Sequence, residues 1–257
     1  MDDSYPVYLN RVARLTRRAT LHSQLANIQS SPKFEDGRAV AFPGYSAIAP
    51  LWEGSSEILA LRDRLTQLQQ SLVEQMDGGL MVPVAPESFH LTLTDLLWDE
   101  AYREAIEKNP AFEEQLRDRV AQCFEQSAPQ LSSNTPIQIQ SLGLLLRPRA
   151  IMVGVVPQSE QGYSRILQLR RAIYQNAGLI GLGIEQQYDF TGHITLGYFD
   201  KISSDLDRDR LVSILDSIND NWLETEMPST SIEGVWLYKF DDMNHFYREP
   251  DWPGLRF

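Results

Sequence analysis

The amino-acid sequence predicts a layered fold of mixed class, α/β or α+β, in which helices cover one face of a sheet and leave the other open. Two observations carry this. Segments with two-residue alternation and segments with helical periodicity follow one another along the chain. The order strand, helix, histidine-bearing strand, helix then occurs twice, as a duplication of pattern rather than of residue identity.

In residues 5–29, Tyr8, Val12, Leu15, Leu21, Leu25 and Ile28 recur at spacings that suit one or two short amphipathic helices. The arginines between them, Arg11, Arg14, Arg17 and Arg18, read as a solvated face; the sharper alternative is that Arg14, Arg17 or Arg18 reaches an anionic ligand. Residues 30–37 have the punctuation of a loop, so residues 1–37 are expected to form a basic helical arm and residues 38–257 the main domain. Strand chemistry follows at 39–42 and 45–48, on either side of Pro43 and Gly44. Ile58, Leu59, Leu61, Leu65, Leu68 and Leu72 predict a core-packed helix over 56–76, closed by Asp77, Gly78 and Gly79.

Residues 88–97 alternate as a strand with one polar and one apolar face, and a helix follows at about 100–126. That helix contains Cys123, the only cysteine, which is expected in the core because it has no second thiol to pair with. Two strands, one opening at Ile137 and one over 150–156, are joined by a short turn at Pro148. A helix over about 159–177, a glycine-rich turn over 178–183, a strand over 190–199, a helix over 204–220 and a final hairpin from 230–240 and 244–248 complete the chain.

With 42% hydrophobic and 23% charged residues the 257-residue chain has the make-up of an ordinary globular protein. The net charge of −12 argues against binding long duplex nucleic acid, where Lys and Arg must neutralise phosphates, and leaves small nucleotides open. No apolar run approaches the roughly 18 residues of a membrane span, and Met1–Ser4 lacks the basic-then-apolar order of a signal peptide. A soluble, cytoplasmic monomer without a membrane partner is the expectation.

The chemistry is carried by two strands. On a β-strand residues i and i+2 share a face, so His90 and Thr92 project together, as do His193 and Thr195, while Leu91, Leu93, Ile194 and Leu196 point into the helix layer. Imidazole and hydroxyl then stand about 6.5 to 7 Å apart along the backbone, within reach of one phosphate. Phosphodiester cleavage needs one group to take a proton from the attacking oxygen and another to protonate the leaving oxygen, and histidine performs either near neutral pH. Threonine hydroxyls can donate to the non-bridging oxygens. One such motif would be ordinary on a solvated sheet face; two of them, each His-Leu/Ile-Thr-Leu and about a hundred residues apart, are not.

With these residues in view, the chain resembles the 2H phosphoesterase superfamily, defined by two His-x-Thr/Ser-x motifs. His90-Leu91-Thr92-Leu93 and His193-Ile194-Thr195-Leu196 match both, within residues 38–240, and the nearest likeness is to an uncharacterised microbial, cyanobacterial-type branch. The resemblance implies a bilobal α+β fold with two pseudo-symmetric lobes, antiparallel sheets facing a central groove and helices outside. It implies a phosphodiesterase without cofactor or metal, with His90, His193, Thr92 and Thr195 as catalytic residues. Implied substrates are a small nucleotide or an RNA 2′,3′-cyclic phosphate end, or a 2′,5′ linkage. The alternatives are a degrader of a cyclic nucleotide signal and a non-catalytic nucleotide sensor.

Other candidates are weaker. Thr94 is expected on the face of His90 and Thr92, while the matching place after Thr195 is Gly197, which would leave room for substrate on the second side. Phe42, Tyr45, Tyr188, Tyr198 and Trp236 lie on or beside the strands; packing accounts for most of them, with Tyr45 and Tyr198 as candidate substrate contacts. Arg147 and Arg149 read as a solvated turn, and His22 and His245 as surface or packing residues. No closely spaced His, Asp and Glu set suggests a metal site, and no phosphate-binding glycine loop is present.

Overall fold

A computed structural model describes residues 3–131, 135–225 and 230–257. Helix α1 (Tyr5–Leu15) opens on Pro6, whose fixed φ suits a first helical turn, and buries Tyr8 and Val12; α2 (Arg18–Leu25) buries Leu21 and Leu25. Both pack on the main body, where Tyr8 stacks on Tyr163 at 4.4 Å between ring centroids. Strands β1 (Phe34–Glu35) and β2 (Arg38–Ala39) form a small hairpin, so the strand expected over 39–42 shrinks to its first residue. Asp36 and Gly37 both take positive φ at its turn, which two-residue hairpins require.

Strand β3 (Gly44–Pro50) leads to α3 (Ser56–Gln75), where the Ser55 hydroxyl accepts from the Ile58 amide as an N-cap. Strand β4 (Met81–Pro83) and a 3-10 turn at Pro86–Ser88 precede β5 (His90–Trp98). The single helix expected next is two, α4 (Asp99–Lys108) and α5 (Phe112–Leu131). Pro110 is the reason: it forces Asn109 out of helical geometry, to φ −139° and ψ 97°. Cys123 lies buried in α5, its thiol pushed up in pKa by burial. There follow β6 (Ile137–Arg147), β7 (Ala150–Pro157), α6 (Glu160–Tyr174), α7 (Ala177–Ile180), β8 (His193–Phe199) and α8 (Arg208–Glu224). The chain closes with β9 (Thr230–Ile232), β10 (Gly234–Phe240), β11 (Phe246–Tyr247) and β12 (Gly254–Arg256).

The architecture is α+β, with two five-stranded antiparallel sheets. The first runs β11-β10-β3-β5, with β12 also on β10; the second runs β4-β8-β7-β6-β9. Each sheet holds the strand-helix-strand unit of one half: β3 pairs with β5, and β7 with β8. The next long strand of each half crosses over, β6 joining the second sheet and β10 the first. The two sheets meet where β5 approaches β8, and α6 packs on both β5 and β7 at that seam. One continuous apolar core runs through both halves. The first sheet is strongly curled: β11 lies three strands from β5, about 14 Å on a flat sheet, yet the Phe246 and His90 rings are 4.5 Å apart. Among the described residues, no helix is long and apolar enough to cross a membrane.

Candidate active site

Each histidine opens its strand, and each is held the same way. His90 Nδ1 lies 2.6 Å from the Ser88 carbonyl and His193 Nδ1 lies 2.7 Å from the Thr191 carbonyl, in both cases two residues upstream. A carbonyl oxygen only accepts, so Nδ1 carries the hydrogen in both rings and Nε2 is the nitrogen left for chemistry. Neutral, that nitrogen is a base; protonated, it is an acid. Arg11 braces the second half-site from α1, donating to the Thr191 hydroxyl at 2.7 Å and the Phe190 carbonyl at 2.8 Å. Arg18 pairs with Asp216, and neither it, Arg14 nor Arg17 lines the cavity around the histidines. His22 and His245 are exposed beside Asp209 and Asp241.

His90, Thr92, His193 and Thr195 line one cavity of about 920 Å³ between the sheets. Among the described residues neither threonine hydroxyl is engaged in a hydrogen bond. Past the motifs the strands depart from simple alternation, and in matching places. Opposite β3, Thr92 faces Ile48 and Thr94 faces Ala47, so Leu93 is an extra residue; opposite β7, Thr195 faces Met152 and Gly197 faces Ile151, so Leu196 is extra. Such a bulge turns the following residues to the other face. Asp95 and Tyr198, each five residues after its histidine, therefore line the cavity as counterparts.

The same bulge removes Thr94 from the groove: it is fully buried, with its hydroxyl unpartnered, on the opposite side from Thr92. Tyr45 is not on the groove either. Its neighbour Ser46 takes the cavity side of β3, so Tyr45 faces the helix layer, fully buried against Tyr102 and Trp252. Nor does Gly197 make room for substrate. A Cβ there would come within 2.5 Å of Met81 Cε and 2.6 Å of the Val82 carbonyl, so this glycine admits β4 to the sheet edge. Arg147 and Arg149 are exposed as expected, and they form part of the cavity rim.

At each bulge a buried side chain from the other half's helix donates to the carbonyl of the extra residue. Arg170 of α6 donates to the Leu93 carbonyl at 2.7 Å, and Gln69 of α3 donates to the Leu196 carbonyl at 2.7 Å. Arg170→Met would leave the Leu93 carbonyl buried without that donor, at an expected cost of about 1–3 kcal/mol. Urea unfolding checks this; a loss below about 0.5 kcal/mol would show the bulge to be indifferent to its brace.

Lys33, from the segment between α2 and β1, is the functional candidate the sequence pattern missed. Its ammonium sits 4.7 Å from the Phe42 ring centroid and 5.0 Å from that of Tyr198, and donates to the Tyr198 hydroxyl at 3.4 Å. It lines the cavity and its charge lowers the pKa of both histidines. Burial is the larger cause: it pushes His90 down to about 4, with the charges of His193 and Lys33 adding to it and the Ser88 hydrogen bond opposing. His193 is lowered as well, first by burial, while its bond to Thr191 and the Asp95 carboxylate pull it back up. Asp95 is itself held: Tyr188 donates its hydroxyl to the carboxylate, and Tyr174 donates to the Asp95 carbonyl at 2.9 Å. Among the described residues no group of three or more His, Cys, Asp and Glu side chains is placed to hold a metal ion.

No family model matches the chain, and no curated protein matches it either. Solved structures do. A conserved protein of unknown function from Agrobacterium tumefaciens is 18% identical, with 85% of this chain and 90% of that one covered and a TM-score of 0.58. A protein of Thermus thermophilus is 16% identical over 76% of this chain and 86% of that one, with a TM-score of 0.43. LigT of E. coli, solved in complex with 3′-AMP, is 14% identical over 84% of this chain and 95% of that one, with a TM-score of 0.37. The first of these likenesses establishes a shared fold.

Proposed function

We propose that the chain is a 2H-type phosphodiesterase that hydrolyses a 2′,3′-cyclic or 2′,5′-linked phosphodiester of a small nucleotide or an RNA end, using two histidines and no metal. The observation that supports this best is the pair of matched half-sites. Each presents an imidazole with Nδ1–H tied to a carbonyl, Nε2 left over and a threonine hydroxyl beside it. His90, the ring pushed down to about 4, is neutral at pH 7 and is assigned as base. His193, whose proton Asp95 helps to retain, is assigned as acid. Water attacks phosphorus as His90 Nε2 takes its proton; the phosphorus–oxygen bond to the leaving group breaks as His193 Nε2 protonates that oxygen. Thr92, Thr195 and Lys33 hold the non-bridging oxygens, and Tyr198 and the Arg147–Arg149 rim border the substrate.

Purified protein is expected to hydrolyse 2′,3′-cyclic mononucleotides or 2′,5′-linked dinucleotides in the presence of chelator. Activity abolished by chelator would overturn the metal-free mechanism. Binding without turnover would make the chain a nucleotide sensor, and preference for a cyclic dinucleotide would make it a signal degrader.

The roles fix the pH dependence. Turnover requires His90 unprotonated and His193 protonated, so kcat/KM rises as pH passes the lowered value of His90 and falls as pH passes that of His193. Since His90 lies at about 4 and His193 below its ordinary 6.5, the maximum of kcat/KM is expected on the acid side of 6.5. Asp95→Asn removes a charge that raises His193, so the falling limb moves to lower pH while the rising limb stays. A maximum above pH 7, or an unmoved falling limb, would overturn the assignment.

A further inference from the structure

A second cavity of about 640 Å³ opens on the His90 side of the groove, and Phe246 is a wall of both. It is rich in aromatic and cationic side chains: Trp52, Trp236, Tyr238, Tyr247, Arg248 and Arg256. It lies on the same sheet face as the motif of the first half. Trp236, Tyr238 and Phe240 alternate to one side of β10, and Phe240 lines the groove itself. Cross-strand register places Thr92, Ile48 and Trp236 in one row, so the backbones of Thr92 and Trp236 are two strand spacings apart, about 10 Å.

The cavity is built to present flat aromatic surface. Trp236 lies across Gly254 of the neighbouring strand, where any Cβ would collide with the indole, and a Cβ at Gly234 would come within 3.1 Å of its far edge. Glycine on both sides lets the indole lie along the sheet while staying partly exposed. Trp52 meets Tyr238 edge-on at 5.4 Å, and the Tyr238 hydroxyl is fixed by donating to Glu53 at 2.8 Å. Arg256 faces Glu233 at 3.6 Å, whereas Arg248 makes no ion pair among the described residues. In a chain of net charge −12, an arginine so placed beside aromatic rings suits a base and an anionic linkage.

We infer that this cavity is the subsite for the nucleoside adjoining the scissile phosphate, so that the substrate carries at least two nucleosides. The inference rests on the phosphodiesterase reading of the histidine groove. The base of the adjoining nucleoside stacks on Trp236, Arg248 meets the linkage or the base edge, and Phe246 separates the two subsites.

The test compares kcat/KM on a mononucleoside 2′,3′-cyclic phosphate with that on a dinucleotide ending in the same cyclic phosphate. The wild type is expected to favour the dinucleotide about tenfold or more, the scale of one base stacked on an aromatic ring. Trp236→Ala and the milder Arg248→Ala are each expected to reduce that preference severalfold, the loss falling on the dinucleotide. Equal efficiencies in the wild type, or a preference that survives both substitutions, would overturn the subsite and leave the phosphodiesterase reading intact. If neither substrate is turned over, the cyclic-phosphate form of the phosphodiesterase reading fails and binding decides the subsite. Tryptophan emission should then be quenched by the dinucleotide at lower concentration than by the mononucleotide, with the difference lost in Arg248→Ala. No difference would overturn it.

Discussion

Replacing His90 or His193 by alanine is expected to lower kcat/KM by about 10² to 10⁴, the usual contribution of a general acid or base. The two substitutions should not fail in the same way. On the proposed roles, His90→Ala removes the base, so the rising limb of the pH profile should vanish, and His193→Ala removes the acid and with it the falling limb. The double substitution should cost far less than the product of the single ones, because proton uptake and delivery belong to one step. Each histidine lines the cavity rather than the apolar core, so the thermal midpoint serves as a control that the fold persists. Residual activity within a few-fold of wild type in either variant, with an unchanged midpoint, would remove that histidine from the mechanism.

Lys33→Met is expected to have the second largest effect, about 10²- to 10³-fold in kcat, as for the loss of one group that holds developing negative charge. The ammonium has two aromatic faces and a tyrosine hydroxyl around it and, among the described residues, no carboxylate partner, so its charge is available to the phosphoryl oxygens. A second effect separates this role from a structural one. Lys33 depresses both histidines, so its removal should raise both values and shift the whole pH profile upward. Lys33→Arg keeps the charge and should recover part of the rate and most of the profile. A slow enzyme with an unshifted profile would mean that Lys33 only packs.

How much of this is legible in the sequence depends on what kind of information each feature needs. The two motif strands and the long helices are readable because period 2 and period 3.6 are local. The position of Asp95 is not, because it depends on Leu93 being an extra residue against β3, a property of the pairing rather than of the strand. Regular alternation carries Thr94 inward and misses Asp95 for the same reason. Tyr45 escapes a sequence reading because a buried tyrosine on a strand looks alike from either face until its neighbour Ser46 is seen to take the groove. Lys33 reads as part of a basic arm, and only the path from α2 into the β1–β2 hairpin carries it to the groove. Strands β4 and β12 are three residues each, too short for any period to register.

The exchange of β6 and β10 between the sheets bears on how such a protein could be cut or built. A chain ended at the turn between β6 and β7 would hold β3 and β5 without β10, and would send β6 out with no sheet to join. Its complement would want β6 just as badly. Neither piece could form a working unit alone, yet the two supplied together carry every edge the other lacks. Fragments split at Pro148 should therefore reassemble as a mixed pair, and the spacing between the two imidazoles is held by interlocked strands rather than by a hinge.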